Sequence, residues 1–539
     1  MQTLRKLCWL ALAIPVVALA EVREDPNSQL FRAVQSQDPE TALYALSAGA
    51  NAQAMQPDGT TPLHYAAHFA DIGVIKALLK ARADPNARND FGATPLAEAA
   101  TTGSAEAIGL LLKAGADVES PNPEGQTALM VVARTGKVEA AKMLLKAGAD
   151  VNAREGWAGQ TALMWAAAQG RPEMIRLLLK SGAKVDARGA VREWARRVTS
   201  EPRPKGMNRG GFTPLLYAAR EGCIACAKEL LAGGADIDLA DPDQTTPLVV
   251  ALMNLHFDFA ALLIQQGADV DRWDLYGQSP LYVAIDMNTL PVGGRPDIPS
   301  ADFTTGVQVA EMLLARGANP DIPLKLRPPY RNYIFDRGGD GMLSTGATPA
   351  LRAAKGGDVA ALKVLAKYKA DLNFANDQGV TPLLAAAGMG FGSNPTRGRF
   401  KTDEQAAECV RVLVQAGVDV NQFQDRTRQT ALHAAAQRGW LHTVKALAEL
   451  GADVDFADSR GMRAYDMVAG RGEQRGGEPP AGPQKQTMDL LYSLVVAKTG
   501  KPPVEYKAPP QQPGQGGRGG PAGARGGGAG PGAGAPPAR

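Results

Sequence analysis

The chain has 539 residues, more than a single globular core accommodates, so it must form several domains or an open-ended array of repeats. Apolar residues make up 45% but aromatics only 6%, a balance weighted toward Ala and Leu that suits closely stacked helices. A formal net charge of +3 over this length supplies no global field for nucleic acid or an anionic membrane, which excludes partners chosen by bulk charge.

Arg5 and Lys6 precede a nearly continuous apolar run from Leu7 to Ala20, which ends in Ala18-Leu19-Ala20 before polar Glu21. That order of positive, apolar and small-residue segments predicts a secretory signal peptide over 1–20, cleaved after Ala20. The run is too short to span a bilayer comfortably, and retention as an uncleaved anchor is the alternative. Cys8 lies in this run without the small residues that a lipoprotein site needs just before it. A periplasmic or secreted protein with no membrane span after cleavage is expected. Residues 21–27 form a short lead-in.

From residue 28 to 499 the chain repeats itself. Thr61-Pro62-Leu63 recurs at Thr94, Thr127, Thr161, Thr213, Thr246, Ser279, Thr348, Thr381 and Thr430, with weaker copies at Ser28 and Arg463. Seven of the eleven steps are 33 residues and one is 34; the other three carry insertions. Each unit has one plan. Thr caps a short helix, and Pro follows where its missing N–H costs nothing. Leu63, Ala66 and Ala67 share a helical face, and a glycine such as Gly103, Gly136, Gly170, Gly222 or Gly439 ends the helix. A second helix is expected to bury Ile75, Leu78 and Leu79, and later Ile175, Leu178 and Leu179. A Gly-Ala-Asp turn closes the unit, with Arg82 and Lys369 in the left-handed glycine position at a cost of about 1–2 kcal/mol each.

Thr61-Pro62-Leu63-His64-Tyr65-Ala66 resembles the signature hexapeptide of the ankyrin repeat, and the resemblance covers about Ser28 to Gly500 in twelve units. It implies an all-α repeat fold: a solenoid of helix–turn–helix units joined by hairpin-like fingers and stacked into a curved array. Neighbouring units then stabilise one another. Ser28 to Asn51 and the segment from Arg463 through Met488–Val496 have the composition of its caps. The resemblance also implies a structural hydrogen bond from His64 and His433 to their Thr, and a non-enzymatic, protein-binding role.

Five insertions interrupt the array, at 189–208, 288–304, 323–344, 389–402 and 470–484. The first and third should extend fingers along one edge; the others separate the two helices of a unit on the opposite edge. The first carries Trp194, Arg196 and Arg197, with six Lys/Arg against two Glu between Gly189 and Arg209. The third carries Tyr330, Arg331 and Tyr333. Arg, Tyr and Trp dominate interface energetics, although such aromatics also serve to pin a long loop onto its own repeat. With Phe212 and Arg220 after the first insert, and Trp273 and Tyr276 between the two, these residues form a candidate cleft for an acidic or extended protein partner.

No catalytic motif and no metal-ligand set is evident, and no cofactor is expected. Cys223-Ile224-Ala225-Cys226 sits where a second helix should start and can pair as a disulfide; its spacing also fits a redox-active site, without the surrounding βαβ pattern. Residues 500–539 are Pro, Gly and Ala with little to bury, predicting a disordered tail. The expected function is a monomeric scaffold or adaptor outside the cytoplasm. Thiol–disulfide activity and envelope attachment through the basic tail are the alternatives.

Overall fold

The computed structural model describes residues 25–192, 209–288, 302–326, 342–343, 345–390, 401–474 and 482–504. Within them the chain forms twelve successive helix pairs. Units 1 to 4 are Pro26–Gln35 with Pro39–Ser47, Pro62–His68 with Ile72–Lys80, Pro95–Thr102 with Ala105–Lys113, and Ala128–Thr135 with Val138–Lys146. Units 5 to 8 are Ala162–Ala168 with Pro172–Lys180, Pro214–Glu221 with Ile224–Ala232, Pro247–Met253 with Phe257–Gln265, and Pro280–Asn288 with Gly306–Ala315. Units 9 to 12 are Pro349–Gly356 with Val359–Lys367, Pro382–Ala386 with Asp403–Gln415, Ala431–Arg438 with Leu441–Glu449, and Ala464–Gln474 with Pro483–Thr499.

First helices pack on first helices of neighbouring units and second helices on second helices, so the array has a front layer and a back layer. The core is one continuous seam between them. Leu63, Ile75 and Leu78, and then Leu163, Ile175 and Leu178, are at most 1% exposed. Leu79, Leu112 and Leu179 depart from expectation: they are half-buried and lean on the core from the back layer. The three-and-four spacing of a nine-residue helix puts the Ile and the first Leu inward and turns the second toward the next unit. No β-strand longer than an isolated bridge occurs among the described residues.

The caps follow the repeat. The Thr94 hydroxyl accepts the Ala97 N–H at 3.2 Å, and Thr213 and Thr348 do the same for Leu216 and Leu351. In units 2 and 11 histidine completes the cap. His64 Nδ1 accepts the Thr61 N–H at 3.1 Å, so Nε2 carries the proton and donates to the Ala93 carbonyl of the next finger at 3.1 Å. His433 repeats this with Thr430 and the Met462 carbonyl, and burial pushes both imidazoles below the usual histidine range. Arg82 and Lys369 occupy the left-handed region, with φ of 64° and 59°.

A ladder joins the units along the turns. Asn86 accepts the Asp117 N–H and donates to the Gly115 carbonyl, and Asn152 and Asn421 make the same double rung to Lys184/Gly182 and Asp453/Gly451. In the middle of the array the position is Asp. Asp186, Asp238, Asp271 and Asp321 accept from the Asp236, Asp269, Asn319 and Asp371 N–H groups. Burial raises the carboxyl pKa at Asp186, Asp238 and Asp321, helped by the next aspartate.

Candidate functional site

The fingers and the front face carry the exposed chemistry. The two ends of the first finger insert are tied together: Gly189 N–H donates to the Phe212 carbonyl, Arg192 to Arg209, and Gly211 to Ala190, with Val191 in an isolated antiparallel bridge to Gly210. Its side chains Trp194, Arg196 and Arg197 lie outside the described residues, as do Tyr330, Arg331 and Tyr333 of the second finger insert. Phe212 is half-buried with its edge on Tyr217, ring centres 5.5 Å apart. Arg220 is exposed over the same Tyr217 ring at 5.0 Å, and meets Glu221 at 2.7 Å. Trp273 is exposed with the Lys325 ammonium 4.0 Å over its ring, and the half-buried Tyr276 accepts the Lys325 and Leu326 N–H groups on its carbonyl. Of the ten expected binding residues, the four in view fall in two places: Phe212 and Arg220 at Tyr217 in unit 6, and Trp273 and Tyr276 at Lys325, on the finger before unit 8; Cys223 and Cys226 form the disulfide.

The floor between the two finger inserts is acidic. Asp274 is 2% exposed, accepts the Tyr276 and Gln278 N–H groups, and is pushed up to about 6 by burial, with Asp241 and Asp243 adding to the rise. Burial likewise raises the Asp241 carboxyl and the Tyr276 hydroxyl. The same floor carries the Lys325 ammonium over Trp273, and Arg209 3.5 Å from Asp243.

Cys223 and Cys226 are joined, Cα atoms 5.2 Å apart, at the start of helix Ile224–Ala232. Cys223 caps that helix through its sulfur, which accepts the Cys226 N–H at 3.2 Å. Cys226 is fully buried and Cys223 half-buried.

Three residues of the fingers and front face, Trp157, Trp165 and Arg134, went unread in the sequence. Trp157, 73% exposed, stands on the finger that makes the 34-residue step, with Arg192 stacked 4.3 Å over its ring. Trp165 occupies the fifth position of its repeat, on the front face, with Arg134 of the preceding unit 5.7 Å over its ring. The extra residue of that step marked the Trp157 finger; Trp165 and Arg134 carried no such mark.

A further feature is buried. Along units 8 to 10 the fifth and eighth positions are Val283 and Asp286, Arg352 and Lys355, and Ala385 and Gly388, all buried. Arg352 is 0% exposed; its Nε donates to Asp286 at 2.5 Å and a terminal nitrogen to the Asp286 carbonyl at 3.1 Å. Burial alone would lower the Arg352 pKa, but Asp286 holds it above the usual value. Asn288 donates to Asp358 at 2.8 Å, and Lys355 to the Gly390 carbonyl at 2.9 Å. Lys401, 4% exposed, donates to the carbonyls of Ala354, Ala385 and Ala386, stapling the ends of two front helices. Met342 packs so closely on Gly390 that a Cβ there would come within 2.4 Å of its sulfur. The two insertions expected on opposite edges therefore meet at these residues.

No group of three His, Cys, Asp or Glu able to hold a metal occurs among the described residues, and no described helix is long and apolar enough to cross a membrane. His68 bonds Glu98 at 2.8 Å.

This architecture of capped helix pairs, fingers and interunit ladders is that of a repeat protein built for surface contacts. The family model "Ankyrin repeats (3 copies)" matches residues 30–122, 111–189, 215–293 and 402–475, more than half of the chain, and the chain belongs to the ankyrin-repeat family. It is similar to the ankyrin repeat and KH domain-containing protein mask-1 of Caenorhabditis elegans, 27% identical over 326 residues, covering 56% of this chain and 12% of that protein. It is also similar to the mouse B-cell lymphoma 3 protein homolog, 28% identical over 295 residues, covering 52% of this chain and 55% of that protein. A Danio rerio relative named as a palmitoyltransferase, 30% identical over 294 residues, covers 53% of this chain and 34% of that protein. The chain thus spans only a part of these relatives, from about an eighth to just over half of their length.

Proposed function

We propose that this protein is a non-enzymatic binding scaffold that holds a protein partner on the fingers and front face of units 2 to 6. The observation that carries this reading is the contrast along the front face. In units 2 to 6 the fifth-position residues Tyr65, Glu98, Val131, Trp165 and Tyr217 are half-buried and, at the eighth, His68, Thr101, Arg134 and Arg220 are exposed; in units 8 to 10 both positions are buried. Trp157 and Phe91, 73% and 69% exposed on the fingers of units 5 and 3, extend the same surface. Aromatic and Arg side chains presented on a rigid scaffold are the residues that anchor interfaces. Membership of the ankyrin-repeat family supports a protein as the partner.

A photo-reactive residue at Trp157 or Tyr217 should yield crosslinked adducts in the cells that make the protein, while one at Arg176 or Lys142 of the back layer should not. Adducts confined to the back-layer positions would overturn the reading. Export is part of the proposal, on the strength of residues 1–20, and places the partner in the periplasm or outside the cell. The purified extracytoplasmic protein should begin at Glu21 and sediment as a monomer. A second reading, thiol–disulfide exchange, draws on the helix-start position of Cys223. Insulin reduction that is lost in Cys223→Ser would support it.

A further inference from the structure

The front face of units 4 to 6 is a ladder of unequal rungs. The fifth positions are Val131, Trp165 and Tyr217; the eighth are Arg134, Ala168 and Arg220. Arg134 and Arg220 are exposed, each over an aromatic ring, and the position between them is the half-buried Ala168, with the shortest side chain of the three.

Charge along this stripe is unbalanced. Glu98 is engaged by His68 at 2.8 Å, and buried Glu155 accepts the Trp157, Ala158 and Gln160 N–H groups of its own finger. Arg134 has no carboxylate partner among the described residues, nor does Arg171, whose Nε donates to the Arg134 carbonyl at 3.4 Å. Arg220 meets its chain neighbour Glu221, an exposed contact that gives way readily to a better-placed carboxylate. The indole N–H of Trp165 is buried and has no acceptor among the described residues, so it is the ring and not this donor that the stripe presents.

We propose that this stripe binds an extended acidic polypeptide segment, with one carboxylate on Arg134 beside Arg171, a small apolar side chain over Ala168, and a second carboxylate on Arg220. The proposal rests on the reading of the front face as a protein-binding surface and names the partner's chemistry. A guanidinium stacked on a ring is already held in place, so its outer edge offers a carboxylate the two-pronged fork with little freedom left to lose. Packed helices lie about 8–10 Å apart, so Arg134 and Arg220, two units apart, stand roughly 16–20 Å from one another. An extended chain rises about 3.3 Å per residue and alternates faces, which sets the two acidic residues about six apart. An anionic polysaccharide would also stack on the rings. The polypeptide is favoured because its alternate residues can present carboxylates to Arg134 and Arg220 and small apolar side chains between them, whereas an anionic polysaccharide has no apolar side chain to set over Ala168.

The test is selection of a random linear twelve-residue peptide library on the full chain and on the Arg134→Glu/Arg220→Glu variant, with unchanged thermal melting of the variant as the folding control. Enriched peptides should carry Asp or Glu pairs about six residues apart, and Arg134→Ala or Arg220→Ala should each weaken a selected peptide by about tenfold or more. Trp165→Phe, which removes only the N–H donor and part of the ring, should weaken it less. Polygalacturonate should not compete except at low salt. Neutral or basic consensus sequences, equal enrichment on the double variant, no enrichment at all, or tight polygalacturonate binding without peptide binding would each overturn the assignment. If crosslinking at Trp157 or Tyr217 still captures a protein partner in any of those cases, the scaffold reading stands and only the acidic stripe falls.

Discussion

Units 4 to 6 and units 8 to 10 place charged residues at the same repeat positions and use them in opposite ways. Arg134 in unit 4 rests on an aromatic ring in water, and its removal leaves nothing stranded. Arg352 in unit 9 is wholly buried against Asp286, and removing either charge takes from the other a buried partner at 2.5 Å. The helices differ little; what differs is whether the front face is covered. Where chain crosses it, as Met342 does on reaching Gly390, the buried surface must satisfy its own polar groups, and Asp286, Asn288, Lys355, Asp358 and Lys401 do so. An open stretch is free to serve a partner, whereas a covered one is committed to the fold.

The contrast should appear most strongly in stability. Arg352→Ala should cost about 3–5 kcal/mol in urea denaturation, because buried Asp286 loses the guanidinium that meets it at 2.5 Å, while Arg352→Met with Asp286→Leu should recover most of that loss. A cost below about 1 kcal/mol would mean that the front face of unit 9 is open like that of unit 4. Leu178→Ala should cost about 2–5 kcal/mol, since Leu178 is 0% exposed in the seam, and half-buried Leu179→Ala distinctly less. Equal effects would move the back-layer register by one residue.

Asp274 gives a pH-dependent effect. Its folded value of about 6 lies above the ordinary 3.8, so the folded chain holds the proton more tightly than the unfolded one. The stability it contributes is complete below about pH 4 and is lost as the pH rises to about 6. Asp274→Asn should therefore raise stability at pH 7 by about 1–3 kcal/mol, with the gain vanishing toward pH 4, as thermal melts across that range would register. A gain independent of pH would put its origin elsewhere. The smallest effect should be Arg134→Ala, within about 0.5 kcal/mol of the native stability, since the residue is exposed and acts on a partner.

Units, caps and turns were legible in the sequence because each depends on local chemistry. Thr at the cap, Pro after it and glycine beyond the helix each have one physical reason to be where they are, and the His64 and His433 hydrogen bonds follow from the motif. The half-buried state of Leu79 and Leu179 was misjudged because the pattern marks apolar positions without saying how closely the next unit approaches. The front face was harder. Trp165, Arg134 and Arg352 occupy the same two motif positions, and nothing local distinguishes an exposed arginine from one under a crossing segment. That distinction is set by residues far away in sequence, such as Met342 on Gly390 and Lys401 on the ends of the front helices. The Arg and aromatic content of the finger inserts drew the site toward residues outside those described, while Phe212 and Arg220 led to the neighbourhood of Tyr217.

The ladder of Asn and Asp side chains has a mechanical consequence. At Asn86, Asn152 and Asn421 the amide ties two backbone groups of the next unit, but Asp186, Asp238, Asp271 and Asp321 tie one, and burial keeps three of these four carboxyls above their usual range. A protonated carboxyl regains the donor that the amide has. The array is then a spring of unequal coils, doubly tied at Asn86, Asn152 and Asn421 and singly tied at Glu119 and at the four successive aspartates of units 5 to 8. Bending under load at neutral pH concentrates in that middle stretch, where the open front face of units 4 to 6 gives way to the covered face of units 8 to 10.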